Sequence, residues 1–209
     1  FGDTLLGKIP EGSKIKIAQF KPPKPFLWPS SEIPYYIDKD FLNPEKVEEV
    51  IEYFSEYTSI QFFRTQGNDQ DGIAFVPGEE HCYSYLGKVG GFQPIFLSPN
   101  CEFKEIAHEI MHALGFVHEQ SRSDRDQYVK INWENIEPDK HLQFLKVPDE
   151  LMEVSKLHPF DYKSIMLYQA QAFAKADKQS MESTTNEKIS PSRNGLSQGD
   201  LERLTQAYH

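Results

Sequence analysis

Residues 108–118 read HEIMHALGFVH, which spells H-E-x-x-H-x-x-G-x-x-H with His108, Glu109, His112, Gly115 and His118 in the fixed places. The run continues a helical pattern that starts near residue 102, where Phe103, Ile106, Ile110, Met111 and Leu114 recur at the spacing of one buried face. On a helix, residues i and i+4 stand one above the other, so His108 and His112 can offer nitrogens to one ion at about 2.0–2.1 Å. Glu109 is angled beside that ion rather than onto it. Gly115 ends the helix with a backbone conformation that other residues resist, and the sharp turn brings His118 round as a third ligand. Three neutral nitrogens leave zinc an open position for water, the ligand set of a catalytic site rather than a closed structural one. At this chain's own frequencies of His, Glu and Gly, a chance match of the whole pattern anywhere along it is on the order of 10⁻⁵.

Outward from this helix the chain is regular on the N-terminal side and irregular on the C-terminal side. Residues 1–32 are Lys/Pro-rich, and prolines at 22, 23, 25 and 29 forbid a helix. IPYYI at 33–37 reads as a strand. Asn43 as cap and Pro44 as first helical residue then open a helix with Val47, Val50, Ile51, Phe54 and Tyr57 on one face. IQFFRT at 60–65 and GIAFV at 72–76 read as strands around the turn-rich GNDQDG, and a hairpin-like region follows from Tyr83 to Ser98. Residues 119–195 are charged and turn-rich. A last helix opens at Ser197 with Asp200 three positions on, in the capping-box arrangement.

The 209 residues suit one domain or two small lobes with a real hydrophobic core. A mean hydropathy of -0.59 and the lack of any apolar run near the roughly 18 residues needed to cross a bilayer argue against a membrane partner. The net charge of -10 would be repelled by phosphate backbones, which excludes nucleic acid as a partner. Cys82 and Cys101, 19 positions apart, admit either one disulfide across a folded loop or two reduced, buried thiols.

The long histidine pattern, with the candidate Met-containing turn Ser164, Ile165, Met166, Leu167, Tyr168, is that of the metzincin metallopeptidases. After His118 the chain reads EQSRSDRDQYVKINWENI. With Trp28 and IPYYI, CYSYLGKVGGFQ, FDYKSIM and LSQGDLERL, this closely resembles the astacin family over about residues 28 to 208. The resemblance implies an α+β, two-lobed metzincin (zincin-like) fold. Its upper lobe, about 19–115, would hold a twisted, mostly parallel sheet and two long helices. Its lower lobe, about 116–209, would be irregular with one terminal helix. It further implies a secreted, monomeric zinc endopeptidase acting on proteins or peptides, with one zinc held by His108, His112 and His118. Glu109 would be the general base and Met166 the methionine of the turn. Tyr168 falls on the family's switchable ligand, which swings out to the oxyanion. Glu119 is linked in the family to the buried amino terminus of the mature enzyme. The bridge matched here is Cys82 to Cys101. SYLGKVGGFQ would be the upper-rim edge strand to which a peptide adds, with Gly90 and Gly91 allowing close approach or marking only a bulge.

Three departures bear on this reading. Most astacins carry a second disulfide tying down the terminal region, so packing must serve there. The usual histidine of the Met turn is Leu167. Residues 1 to about 18 are extra relative to family mature chains and open with Phe1, Gly2, Asp3, close to the propeptide signature F-x-G-D, although the spacer between Phe and Gly is absent. Residues 1–18 are therefore either an inhibitory segment with Asp3 on the zinc or an arm. Lys8, Lys14 and Lys16 offer sites to an activating protease. Lys175 and Lys178 lie in the segment where family members carry a basic pocket residue. The SRSDRD cluster reads as opposite charges pairing within a loop. A degenerate domain kept for binding would have lost the base or a ligand, and all are present. A zinc hydrolase of non-peptide substrates is the other alternative.

Overall fold

The computed structural model describes residues 4–5, 27–66 and 71–209. Asp3 lies outside them, with Phe1, Gly2 and the lysines at 8, 14 and 16. Strands β1 (Thr4–Leu5), β2 (Glu32–Ile37), β3 (Gln61–Arg64), β4 (Gly72–Pro77), β5 (Tyr83–Tyr85) and β6 (Phe92–Leu97) form one sheet in the order β1-β5-β6-β4-β2-β3. Among the described strands of this sheet the pairings are parallel, with the β5–β6 hairpin antiparallel. Helices α1 (Pro44–Tyr57) and α2 (Phe103–Ala113) bury their apolar faces with the sheet in one core, which includes Ile33, Phe54, Phe75, Ile95, Ile106 and Ile110. Pro44 occupies the first turn of α1, while Asn43 makes no side-chain cap bond. Tyr57, expected on the buried face, is 55% exposed because it stands at the last position of α1, where it stacks on Tyr53 at 4.7 Å.

The expected rim strand differs in extent. Among the described residues the named strands cover Tyr83–Tyr85 and resume at Phe92, and between them a single bridge at Lys88 is followed by a turn with Gly90 and Gly91 at φ +89° and +65°. The Gly91 N–H donates to Asp71 Oδ1 at 2.6 Å, and Lys88 pairs with the same carboxylate at 2.8 Å. These contacts hold Asp71 below the usual carboxylate range, with the Lys88 hydrogen bond the largest cause. The glycines therefore shape a pinned turn.

Beyond α2 the chain is built from short 3-10 turns, an antiparallel pair β7 (Val129–Ile131) and β8 (Met181–Ser183), and helix α3 (Gln198–Ala207). What replaces regular structure is buried guanidinium chemistry. Arg122 forks onto Asp124 through Nε and Nη2, both at 2.9 Å, and its Nη1 reaches the Ser155 carbonyl at 3.0 Å. Arg125 pairs with Asp126 at 2.7 Å and donates to the Gln120 and Phe144 carbonyls at 2.5 and 2.6 Å. The opposite charges pair as the sequence suggests. Their larger role is to satisfy carbonyls that no strand or helix serves.

Cys82 and Cys101 are bonded, with Cα atoms 6.3 Å apart. The bridge staples the start of β5 to the segment entering α2, a closure that contributes on the order of 3 kcal/mol in the chain-entropy account. The C-terminal end is held by packing and hydrogen bonding: Ser59 Oγ donates to the Tyr208 carbonyl at 2.5 Å, and Tyr208 is itself buried.

Candidate metal centre and cleft

Helix α2 carries His108, Glu109 and His112, all buried. Its N-terminus is fixed by a reciprocal capping box between Glu102 and Glu105. A helix C-terminus leaves its last carbonyls without intrahelical donors. Here the donors come from distant segments: Gly87 N–H to His112 O at 2.8 Å, Trp28 Nε1–H to Ala113 O at 2.9 Å, and Tyr208 O–H to Leu114 O at 2.7 Å. Burial pushes the Tyr208 phenol well above its ordinary range, so it remains a donor. Gly115 follows at φ +100°, and the turn it permits delivers His118 to the face of α2.

The ring nitrogens of His108, His112 and His118 available as ligands lie within 4.8 Å of one another. His108 Nδ1 is 2.9 Å from the Ile165 carbonyl, and His112 Nδ1 is 2.8 Å from that of Phe116. A carbonyl can only accept, so each Nδ1 is the donor and Nε2 is the nitrogen left to face a shared ion. His108 Nε2 and His118 Nε2 stand 3.0 Å apart. Such convergence of three buried imidazoles, two of them oriented by carbonyls behind them, fits zinc and the rule that a ligating ring is held by a further hydrogen bond.

Ile165, whose carbonyl orients His108, belongs to the Met turn. Met166 is fully buried in the core with Met111, and its carbonyl accepts the Glu119 N–H at 3.0 Å. Leu167 is buried in the second apolar cluster with Phe144, Phe160 and Met181, against which Tyr168 packs. The Tyr168 ring lies 4.7 Å from that of His118, and its N–H donates to Gln120 Oε1 at 3.1 Å. A cleft of about 860 Å³ opens over these residues, lined among others by His108, Glu109, Tyr168, Tyr83, Lys104 and Lys140. Lys175 and Lys178 are not among its lining residues, and Lys175 Nζ instead donates to the Glu134 carbonyl at 2.8 Å.

Glu119 is fully buried beneath the site. Its Oε1 accepts from Arg203 Nη1 at 2.6 Å, while its Oε2 accepts from Arg122 Nη1 at 3.3 Å and the Asp161 N–H at 3.0 Å. Burial raises this carboxyl above its ordinary range, against the pull of Arg203 and Arg122. Arg203 is a functional candidate that the sequence reading passed over. Its signal is its spacing, because Asp200, Arg203 and Leu204 share one face of α3 and all three are buried.

Comparisons with known proteins agree with this geometry. Residues 22–209 match the family model described as Astacin, a peptidase family. The chain is 38% identical over 185 residues to zinc metalloproteinase nas-13 of Caenorhabditis elegans, covering 87% of this chain and 41% of that protein. It is also 38% identical over 183 residues to high choriolytic enzyme 1 of Oryzias latipes, covering 85% of this chain and 66% of that protein. The solved structure of high choriolytic enzyme 1, a hatching enzyme zinc-protease, superposes with a TM-score of 0.73 at 37% identity, covering 83% of this chain and 86% of that one. A structure of myroilysin, at 19% identity and a TM-score of 0.52 over 87% of this chain and 95% of that one, shares the fold alone. The chain thus spans about two fifths of the length of the nematode relative.

Proposed function

The chain belongs to the astacin family, and on that premise we propose that it is a secreted zinc endopeptidase whose first residues hold it latent. The observation that carries the activity is the convergence of His108, His112 and His118, with His108 and the adjacent Glu109 lining an open cleft. When bound, zinc supplies Lewis acidity, polarising the scissile carbonyl and acidifying water. His108, His112 and His118 would hold the ion, and the Ile165 and Phe116 carbonyls fix the first two rings. Glu109 takes the proton of the attacking water and delivers it to the leaving amine. The Tyr168 hydroxyl donates to the oxygen on which negative charge grows. Tyr83 at the start of β5 lines the same cleft, so an extended polypeptide adding to that strand would run past these groups. The Cys82–Cys101 bridge supports secretion.

Latency rests on β1. Thr4 and Leu5 pair with Ser84 and Tyr85 on the outer edge of β5, the edge a substrate would use. Asp3 immediately precedes them, so its carboxylate is the candidate for the zinc position in the uncut chain. Residues 1–18 then form an inhibitory segment before a catalytic unit of 19–209, with lobes meeting near 115. Cleavage near residues 14–20 by a protease that cuts after lysine releases the block, and the active unit works as a monomer.

Digestion of a denatured proteome with sequencing of the new termini tests the activity, and internal cleavages lost on chelation are expected. An inert, zinc-loaded, cut protein would leave a binding domain. For latency, Asp3→Ala should raise the basal activity of the uncut chain towards that of the cut form. Equal activity of uncut parent and variant would reduce residues 1–18 to an arm.

A further inference from the structure

We propose that Arg203 is a positioning residue for the third histidine, acting through Glu119. The inference rests on the zinc reading above. Glu119 directly follows His118, and its main chain is tied to the Met turn by the bond from its N–H to Met166 O at 3.0 Å. Whatever fixes the Glu119 side chain therefore fixes the path of the chain on which His118 stands. Both carboxylate oxygens are engaged, and neither Glu119 nor Arg203 has side-chain surface open to solvent.

The division of labour between the two arginines follows from their other partners. Arg122 spends Nε and Nη2 on Asp124, which neutralises it, and its remaining Nη1 is shared with the Ser155 and His158 carbonyls at 3.0 and 3.2 Å. Its bond to Glu119 is the longer one, at 3.3 Å against 2.6 Å for Arg203. Arg203 meets only one other carboxylate among the described residues, Asp200 at 3.8 Å. Asp200 is already committed: it accepts from Ser164 Oγ at 2.6 Å, and from the Ile165 and Ser197 N–H groups at 2.9 and 3.0 Å. Arg203 is thus the main counter-charge of Glu119. The same face of α3 reaches His108 as well, because Asp200 holds the N–H of Ile165, whose carbonyl accepts from His108 Nδ1. One helical face orders the chain behind two of the three ligands.

A buried ion pair that loses one partner leaves the other uncompensated, whereas removing both charges together is far better tolerated. That asymmetry gives the test. In the full chain loaded with zinc, release of the metal to a chromogenic chelator is followed. Arg203→Met is expected to release zinc about tenfold faster than the parent or more, the scale on which groups supporting a ligand act. Arg203→Lys keeps the charge without the planar fork and should fall between. Arg203→Met combined with Glu119→Gln should recover most of the parent's retention. If Arg203→Met retains zinc like the parent, or if the double variant releases it as fast as Arg203→Met alone, the positioning role is wrong. Should Arg203→Met fail to fold, Arg203→Lys and the double variant decide by the same criterion, with a parent-like rate in Arg203→Lys or a roughly tenfold faster one in the double variant overturning the role. A parent that binds no zinc removes the peptidase reading and this role together. A zinc-binding parent indifferent to Arg203 removes only this one.

Discussion

Glu109→Gln is expected to lower turnover by about 10²–10⁴-fold while leaving zinc content and fold intact. The amide has the size of the carboxylate and keeps an acceptor oxygen, but it cannot take a proton from water at neutral pH. Glu109 sits on α2 next to His108, is almost completely buried, and lines the cleft, so the change falls on a rigid element and alters chemistry rather than packing. Hydrolysis of a quenched-fluorescence peptide by the cut protein gives kcat, and metal analysis with circular dichroism reports the rest. Casein cleavage at the parent's rate would show that another group is the base.

Tyr168→Phe is expected to reduce kcat by about 10–10³-fold with little change in KM, because a donor to the growing oxyanion acts mainly in the transition state. The ring's environment is kept by the substitution. Its centroid lies 5.5 Å from that of Phe173, 6.0 Å from that of Phe144 and 4.7 Å from that of His118. Loss confined to kcat would therefore report the hydroxyl alone. An unchanged kcat would leave Tyr168 as a packing residue between the second apolar cluster and the histidines.

The parts legible in the sequence are those in which periodicity and chemistry coincide. The α2 helix shows its apolar stripe, its ligand spacing and its terminating Gly115 within one short stretch. Both α1 and α3 are announced, by Pro44 and by the Ser197/Asp200 box. The β-rich half can be read because its strands are short apolar runs between turn residues. The lower half cannot, since 3-10 turns have no long period and their order comes from side chains far apart in sequence. Arg122 and Arg125 read as partners of neighbouring acids in a loop, which they are, but their burial and their bonds to carbonyls at positions 120, 144, 155 and 158 have no local signal. Arg203 is 84 positions from Glu119, and a partner at that distance leaves no local trace. The rim strand is shorter than expected because Gly90 and Gly91 fit a turn as well as a close backbone approach.

The cap that Trp28 places on α2 also has an optical consequence. The chain holds two tryptophans in opposite settings. Trp28 is 5% exposed with its indole N–H on the Ala113 carbonyl, whereas Trp133 is 37% exposed beside His141 and Arg125. Emission from the first is shielded from dissolved quenchers and shifts to the red only when the last turn of α2 lets water reach the indole. Emission from the second is accessible to quenchers throughout. With Trp133 quenched, the residual fluorescence becomes a gauge of the end of the helix that carries His108 and His112.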